Sequence, residues 1–172
     1  YVSQLIRYDK LFLVIGNQNA VSYKQIFDFI SKDKRWHGYN HVKIFIKLDG
    51  GIESFVNICW FTNVYVKEKK FDFKPCKIYS GNHISYPKYE NLDEINVNRL
   101  KEMPVDYNGM IGVPITFIDK YNPNEFVIIG LDKQLTCDGK GVRINGKNLY
   151  TRIIVQRKQV ANDNQNLTLK AA

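Results

Sequence analysis

The sequence predicts an α/β fold in which strand-and-helix units give way to antiparallel hairpins, and three observations predict it. Residues 2–31 read helix, strand, loop, helix; residues 42–61 alternate apolar and polar about a glycine turn; and strand-like runs near residue 150 flank an Asn-Gly pair. With 172 residues and 44% hydrophobic side chains, the chain is long enough for one core. Residues 1–158 are assigned to one domain and residues 159–172 to a polar tail without pattern.

Val2, Leu5 and Ile6 recur at helical spacing up to Asp9-Lys10, so the chain is expected to begin inside a helix. Leu11-Phe12-Leu13-Val14-Ile15, ended by Gly16, is the pattern of a parallel strand covered on both faces. Ser22-Tyr23-Lys24-Gln25 fits a capping box with Ser22 at the N-cap, and Val21 and Ile26 fit a hydrophobic staple. Ile26, Phe27 and Ile30 then form the buried stripe of a helix ending near Ser31.

The rhythm changes after Trp36. Val42, Ile44, Ile46 and Leu48 alternate with Lys43, Phe45 and Lys47, Asp49-Gly50-Gly51 turns, and Ile52–Phe61 returns as a second strand. Residues 62–109 are polar, tyrosine-rich and irregular, broken by Pro75, Pro87 and Pro104, with one short helix near Asn98–Glu102. An irregular stretch of that length is usually functional. Ile111–Phe117 reads as a strand whose Pro114 argues for an edge or a bulge, and Phe126–Leu131 as another. A last hairpin joins Val142–Ile144 to Leu149–Val155 through Asn145-Gly146.

Charge and cysteines narrow the function classes. The net charge is +8, and the basic residues cluster: Lys140–Lys158 holds six cations and no acid, and Lys67–Lys77 holds five lysines. Such a field suits a polyanion, although a solvated basic surface has the same composition. Cys59, Cys76 and Cys137 are odd in number and lack Cys-x-x-Cys spacing, which suggests reduced thiols and a cytoplasmic protein. His37 and His41 stand four apart, but Gly38 between them argues against a helix, so no metal is expected.

Three stretches together resemble the EcoRI-type adenine-specific DNA methyltransferase family: Leu13-Val14-Ile15-Gly16-Asn17-Gln18-Asn19-Ala20, Ile58-Cys59-Trp60-Phe61-Thr62-Asn63, and Gly112-Val113-Pro114-Ile115-Thr116-Phe117-Ile118-Asp119-Lys120-Tyr121-Asn122-Pro123. Tyr86-Pro87-Lys88-Tyr89 and Leu149-Tyr150-Thr151-Arg152-Ile153 look like the family too. The resemblance implies part of a Rossmann-like methyltransferase sheet, with Leu11–Ile15 beside the strand that carries the catalytic motif and the hairpins at its antiparallel edge. It implies S-adenosylmethionine as cofactor, and as partners double-stranded DNA with a flipped adenine and the amino-terminal part of the same protein. Residues 62–109 would then be a target-recognition insertion.

The chemistry needs an Asn or Asp followed by Pro-Pro and an aromatic, to accept hydrogen bonds from the adenine amino group and to stack on the extruded base. No such motif occurs, Asn122-Pro123-Asn124 lacks the second proline and the aromatic, and no glycine-rich strand-to-helix turn is present. This chain is therefore expected to be the carboxyl-terminal part of the enzyme, with no catalytic residue of its own and no activity alone. Asn17 and Asn19 are expected in a wall of the active site, or as loop caps.

The candidates for DNA contact are the aromatic and cationic cluster Lys34, Arg35, Trp36 and Tyr39, the lysines Lys67, Lys69, Lys70 and Lys74, the tyrosines Tyr86 and Tyr89, and Arg143 and Lys147 about the hairpin turn. The competing function is a nucleic-acid-binding module without catalysis.

Overall fold

The computed structural model describes residues 1–32, 43–65, 75, 77–79 and 84–158. In chain order the elements are α1 (Val2–Arg7), β1 (Leu13–Asn17), α2 (Lys24–Lys32), β2 (Ile44–Ile46), β3 (Ile52–Ser54), β4 (Ile58–Thr62), β5 (Ile95–Asn96), β6 (Met110–Pro114), β7 (Phe126–Leu131), α3 (Asp132–Leu135), β8 (Arg143–Ile144), β9 (Lys147–Asn148) and β10 (Arg152–Arg157). Short 3-10 turns cover Gln18–Ser22, Leu100–Glu102 and Ile115–Lys120.

The stripe expected on α2 faces inward, with Phe27 and Ile30 buried and Ile26 packed beside them. The capping box does not form. Tyr23 O accepts from the Ile26 and Phe27 N–H groups, so the helix starts one residue later. The Ser22 hydroxyl instead donates to Asn19 O at 2.7 Å and closes the preceding 3-10 turn, a local bond that competes with capping.

β1 also departs from expectation. It pairs antiparallel with β4, Leu13 opposite Thr62 and Asn17 opposite Ile58, and only one of its faces is covered. Val14 packs on the core while Leu13 and Ile15 stay exposed. A short apolar run does not by itself distinguish one covered face from two.

β2 and β3 form the expected hairpin about Gly50, whose φ of 79° needs a glycine. The predicted return strand is broken at Phe55–Asn57, where Phe55 packs edge-on against Phe45, ring centres 5.3 Å apart. The piece beyond the break is β4, which leaves the hairpin to join β1.

The main sheet is mixed, in the order β5-β6-β10-β7, with β5 parallel to β6 and the other pairs antiparallel. Three expectations are corrected here. The parallel pair lies within and after the stretch read as irregular, β6 is interior rather than at an edge, and β10 enters between β6 and β7 instead of closing an edge hairpin. Pro114 is tolerated because it is the last residue of β6, where the chain turns into a 3-10 segment. Of the final hairpin only the two-residue pair β8–β9 forms, about Asn145 and Gly146 with φ of 51° and 69°, as a type I′ turn requires.

Two-sided burial belongs to this sheet. Ile111, Val113, Ile153 and Val155 join the larger core with Phe12, Phe27 and Phe61, while Ile154 joins Tyr89 and Val142 on the other face. Gly112 lets Tyr89 lie flat on β6, since a Cβ there would come within 2.7 Å of ring carbons. Among the described residues no helix is long and apolar enough to cross a membrane.

Candidate functional site

The parallel pair sets the geometry. Asn96 stands opposite Gly112 and Pro114 opposite Arg152, so the chain just past β5, the last residue of β6 and the first of β10 meet at one end of the sheet. Open α/β sheets bind ligands beyond the carboxyl ends of their parallel strands. The side chains there form a polar chain: the Tyr89 hydroxyl donates to Asn96 Oδ1 at 2.9 Å, Asn96 Nδ2 donates to Asn98 Oδ1 at 3.1 Å, and Arg152 Nη2 donates to the same oxygen at 2.8 Å.

The electrostatics of this end are uneven. Arg152 is only 9% exposed, its Nε has no partner, and among the described residues no carboxylate pairs with it. Asp132, fully buried, accepts from the Lys133 and Val142 N–H groups at 2.8 and 3.2 Å. Toward the other end of the pair, Glu94, just before β5, is buried with Oε2 unpartnered, and burial, then Asp93, pushes its carboxyl above the usual range. Burial raises the Tyr89 phenol against the pull of Arg152, keeping it neutral.

The turn after β1 lies off the same end. Gln18 Nε2 donates to Asp119 Oδ2 at 3.1 Å, tying Gln18–Ser22 to the 3-10 segment that follows β6. Asn17 and Asn19 are both exposed here. Asn17 Oδ1 accepts from the Asn19 N–H at 2.8 Å, which is the local capping role, and the Asn19 side chain faces outward.

The other predicted residues fare differently. Lys34, Arg35, Trp36, Tyr39, Lys67, Lys69, Lys70 and Lys74 lie outside the described residues, as do His37, His41 and the 159–172 tail. Tyr86 and Tyr89 are corrected: both are buried, with the Tyr86 hydroxyl bonded to Glu102 O at 2.7 Å, so neither presents a ring to DNA. Arg143 is engaged by Asp138 at 2.9 Å, and the turn is stitched to Glu90, whose Oε1 accepts from the Gly146 N–H at 2.8 Å. Lys147 is exposed.

Sequence reasoning gave no site role to Asn96, Asn98 or Arg152. The available signal was an arginine heading an aliphatic run, Arg152-Ile153-Ile154-Val155, where a charge costs most.

The described residues do not fit S-adenosylmethionine. Three glycines that might bring backbone close to a cofactor are filled by the chain's own side chains: Gly109 by Tyr107, Gly112 by Tyr89 and Gly141 by Asp132. Cys59 is no nucleophile either, because burial, aided by Asp119, pushes its thiol up to about 11.

A family model described as adenine-specific methyltransferase EcoRI matches residues 1–168. The chain is 39% identical to the type II methyltransferase M.EcoRI of Escherichia coli, the match covering 93% of this chain and 54% of that protein. It is 30% identical to the type II methyltransferase M.MgeORF184P of Mycoplasma genitalium, over 93% of this chain and 61% of the relative. A third relative, M.MpnI of Mycoplasma pneumoniae, is 30% identical over 92% of this chain and 60% of its own length. The chain thus spans a little over half the length of these relatives. No solved structure matches it significantly.

Proposed function

Because the chain belongs to the family of the adenine-specific methyltransferase EcoRI, we propose that it is the carboxyl-terminal part of a site-specific DNA methyltransferase. The whole enzyme transfers a methyl group from S-adenosylmethionine to N6 of an adenine flipped from duplex DNA, within a restriction-modification system. The single observation that carries this is the family match along residues 1–168.

The division of labour follows from the residues present. The cofactor and the acceptor motif belong to the rest of a Rossmann-like sheet, because this chain has neither an Asn/Asp-Pro-Pro-aromatic motif nor a free glycine-rich turn. This chain supplies one wall of the base pocket, with the exposed Asn17 and Asn19 as hydrogen-bonding groups, and cations for the phosphate backbone. Those cations are Lys34, Arg35, Lys67, Lys69, Lys70, Lys74 and Lys147, with Trp36 and Tyr39 as stacking surfaces.

The test is transfer of labelled methyl groups to duplex DNA. The full-length protein is expected to label adenine N6, and residues 1–172 alone to label nothing. Labelling of cytosine, or none by a full-length protein that binds DNA, would overturn the enzyme reading, and the latter would favour a binding module.

A further inference from the structure

A guanidinium that is nine-tenths buried without a carboxylate partner is costly, and proteins that keep one generally use it on an anion. Among the described residues Arg152 meets that description, with Nε unpartnered and one terminal nitrogen on Asn98 Oδ1 at 2.8 Å. Asn98 is itself exposed, so the terminal nitrogen it accepts from lies next to a surface residue at the end of the sheet. Its place is fixed: β10 pairs with β6 through Arg152 and Pro114, and the Tyr89–Asn96–Asn98 chain braces the acceptor oxygen.

From these observations we propose that Arg152, oriented by Asn98, is an anchor for a DNA backbone phosphate at the carboxyl end of the β5–β6 pair. The proposal rests on the DNA-binding reading above and names where on this chain the duplex is held. A planar fork of N–H donors matches a phosphate, and neighbouring positions in the chain carry an exposed aromatic and a second cation: Tyr150, just before β10, is 92% exposed, and Arg99, next to Asn98, has a side chain 69% exposed with only a loose 3.9 Å pairing to Glu102. A phosphate anchor accounts for a braced arginine that has no acid beside it among the described residues. A carboxylate partner would compete with the phosphate.

The experiment measures duplex affinity of the full-length protein across a salt series, for the wild type and for Arg152→Gln, Arg152→Lys and Asn98→Ala. Losing one phosphate contact lowers the salt slope by about 0.9, and Arg152→Gln is expected to show that drop with about tenfold weaker binding to every sequence tested. Arg152→Lys should keep the slope but lose affinity, because the charge remains and the fork does not. Asn98→Ala should weaken binding about threefold, a fraction of the loss expected for the charge itself.

A folded Arg152→Gln protein with unchanged slope and affinity overturns the anchor. If Arg152→Gln does not fold, wild-type affinity in both Arg152→Lys and Asn98→Ala overturns it instead. A wild-type protein that fails to bind duplex DNA overturns the DNA-binding reading along with the anchor. Loss of methylation with intact, Arg152-dependent binding overturns the enzyme reading alone.

Discussion

Gly112 and Tyr89 show how one missing methyl group organises a face of the sheet. Gly112 sits in an interior strand, and the Tyr89 ring occupies the space that a side chain there would fill, which lets the phenol reach Asn96. Gly112→Ala should therefore destabilise the protein by about 1–3 kcal/mol, the usual cost of overpacking. The cost should shrink to under about 0.5 kcal/mol in a Tyr89→Ala background, because the two sites are coupled through one space. Denaturant titration of the four proteins reads this, and equal costs in both backgrounds would remove Tyr89 as the cause. Glu94 makes a second case, since its carboxyl is buried with one oxygen unpartnered and its pKa lies above the ordinary 4.5. As pH rises from 4.5 through the raised folded value, the folded state keeps a proton that the unfolded state has released, so the contribution of Glu94 to stability falls across that window. Glu94→Gln lacks that loss. Thermal melts at pH 4 and pH 7 should show the variant gaining on the wild type toward neutral pH; a constant difference at both pH values would mean that Glu94 ionises freely.

At the scale of elements, what was legible in the sequence was local. The α2 stripe of Ile26, Phe27 and Ile30 and the turns at Gly50 and Asn145-Gly146 follow from periodicity and backbone chemistry alone, and all appear where expected. Pairing was not legible, because partners are chosen by packing across long separations. β1 finds β4 some 45 residues away, and β10 inserts between β6 and β7 rather than following β9. β5 is two residues long, too short to declare a period, yet it makes the parallel pair that defines the site. The same limit hid the site itself: Tyr86 and Tyr89 look like stacking residues until burial is known, and Arg152 looks like one more surface cation. The Asn145-Gly146 turn offers a direct check. Gly146 holds a φ of 69° with open space around it and donates to Glu90, so Gly146→Ala should cost about 1 kcal/mol through backbone strain while leaving the salt slope of DNA binding unchanged. A changed slope would mean that the shape of the turn, and not only the Lys147 charge beside it, positions the DNA contact.

Over the whole molecule, apolar surface is distributed unevenly. The four-stranded sheet is covered on both faces along β6 and β10, whereas among the described residues β1 pairs only with β4, and Leu11 before it and Leu13 and Ile15 within it are exposed, at 77%, 61% and 45%. A strand with a free edge and an exposed aliphatic face is a template for further pairing, and one left bare is an aggregation site. The matches cover 54% and 61% of the relatives' own lengths, and a protein of that length has more chain with which to cover this face. On the reading proposed above, in which this chain is the carboxyl-terminal part of a longer enzyme, we expect the remaining chain to pack there, continuing the sheet past β1 toward the base pocket proposed at Asn17. In the full-length protein, Leu13→Asp should then cost about 3 kcal/mol or more, as for a charge forced into an apolar contact. Ile46→Asp, on the exposed β2–β3 hairpin, should stay within about 0.5 kcal/mol as a surface change. Similar small costs at both positions would mean that β1 is a true edge and that the remaining chain packs elsewhere.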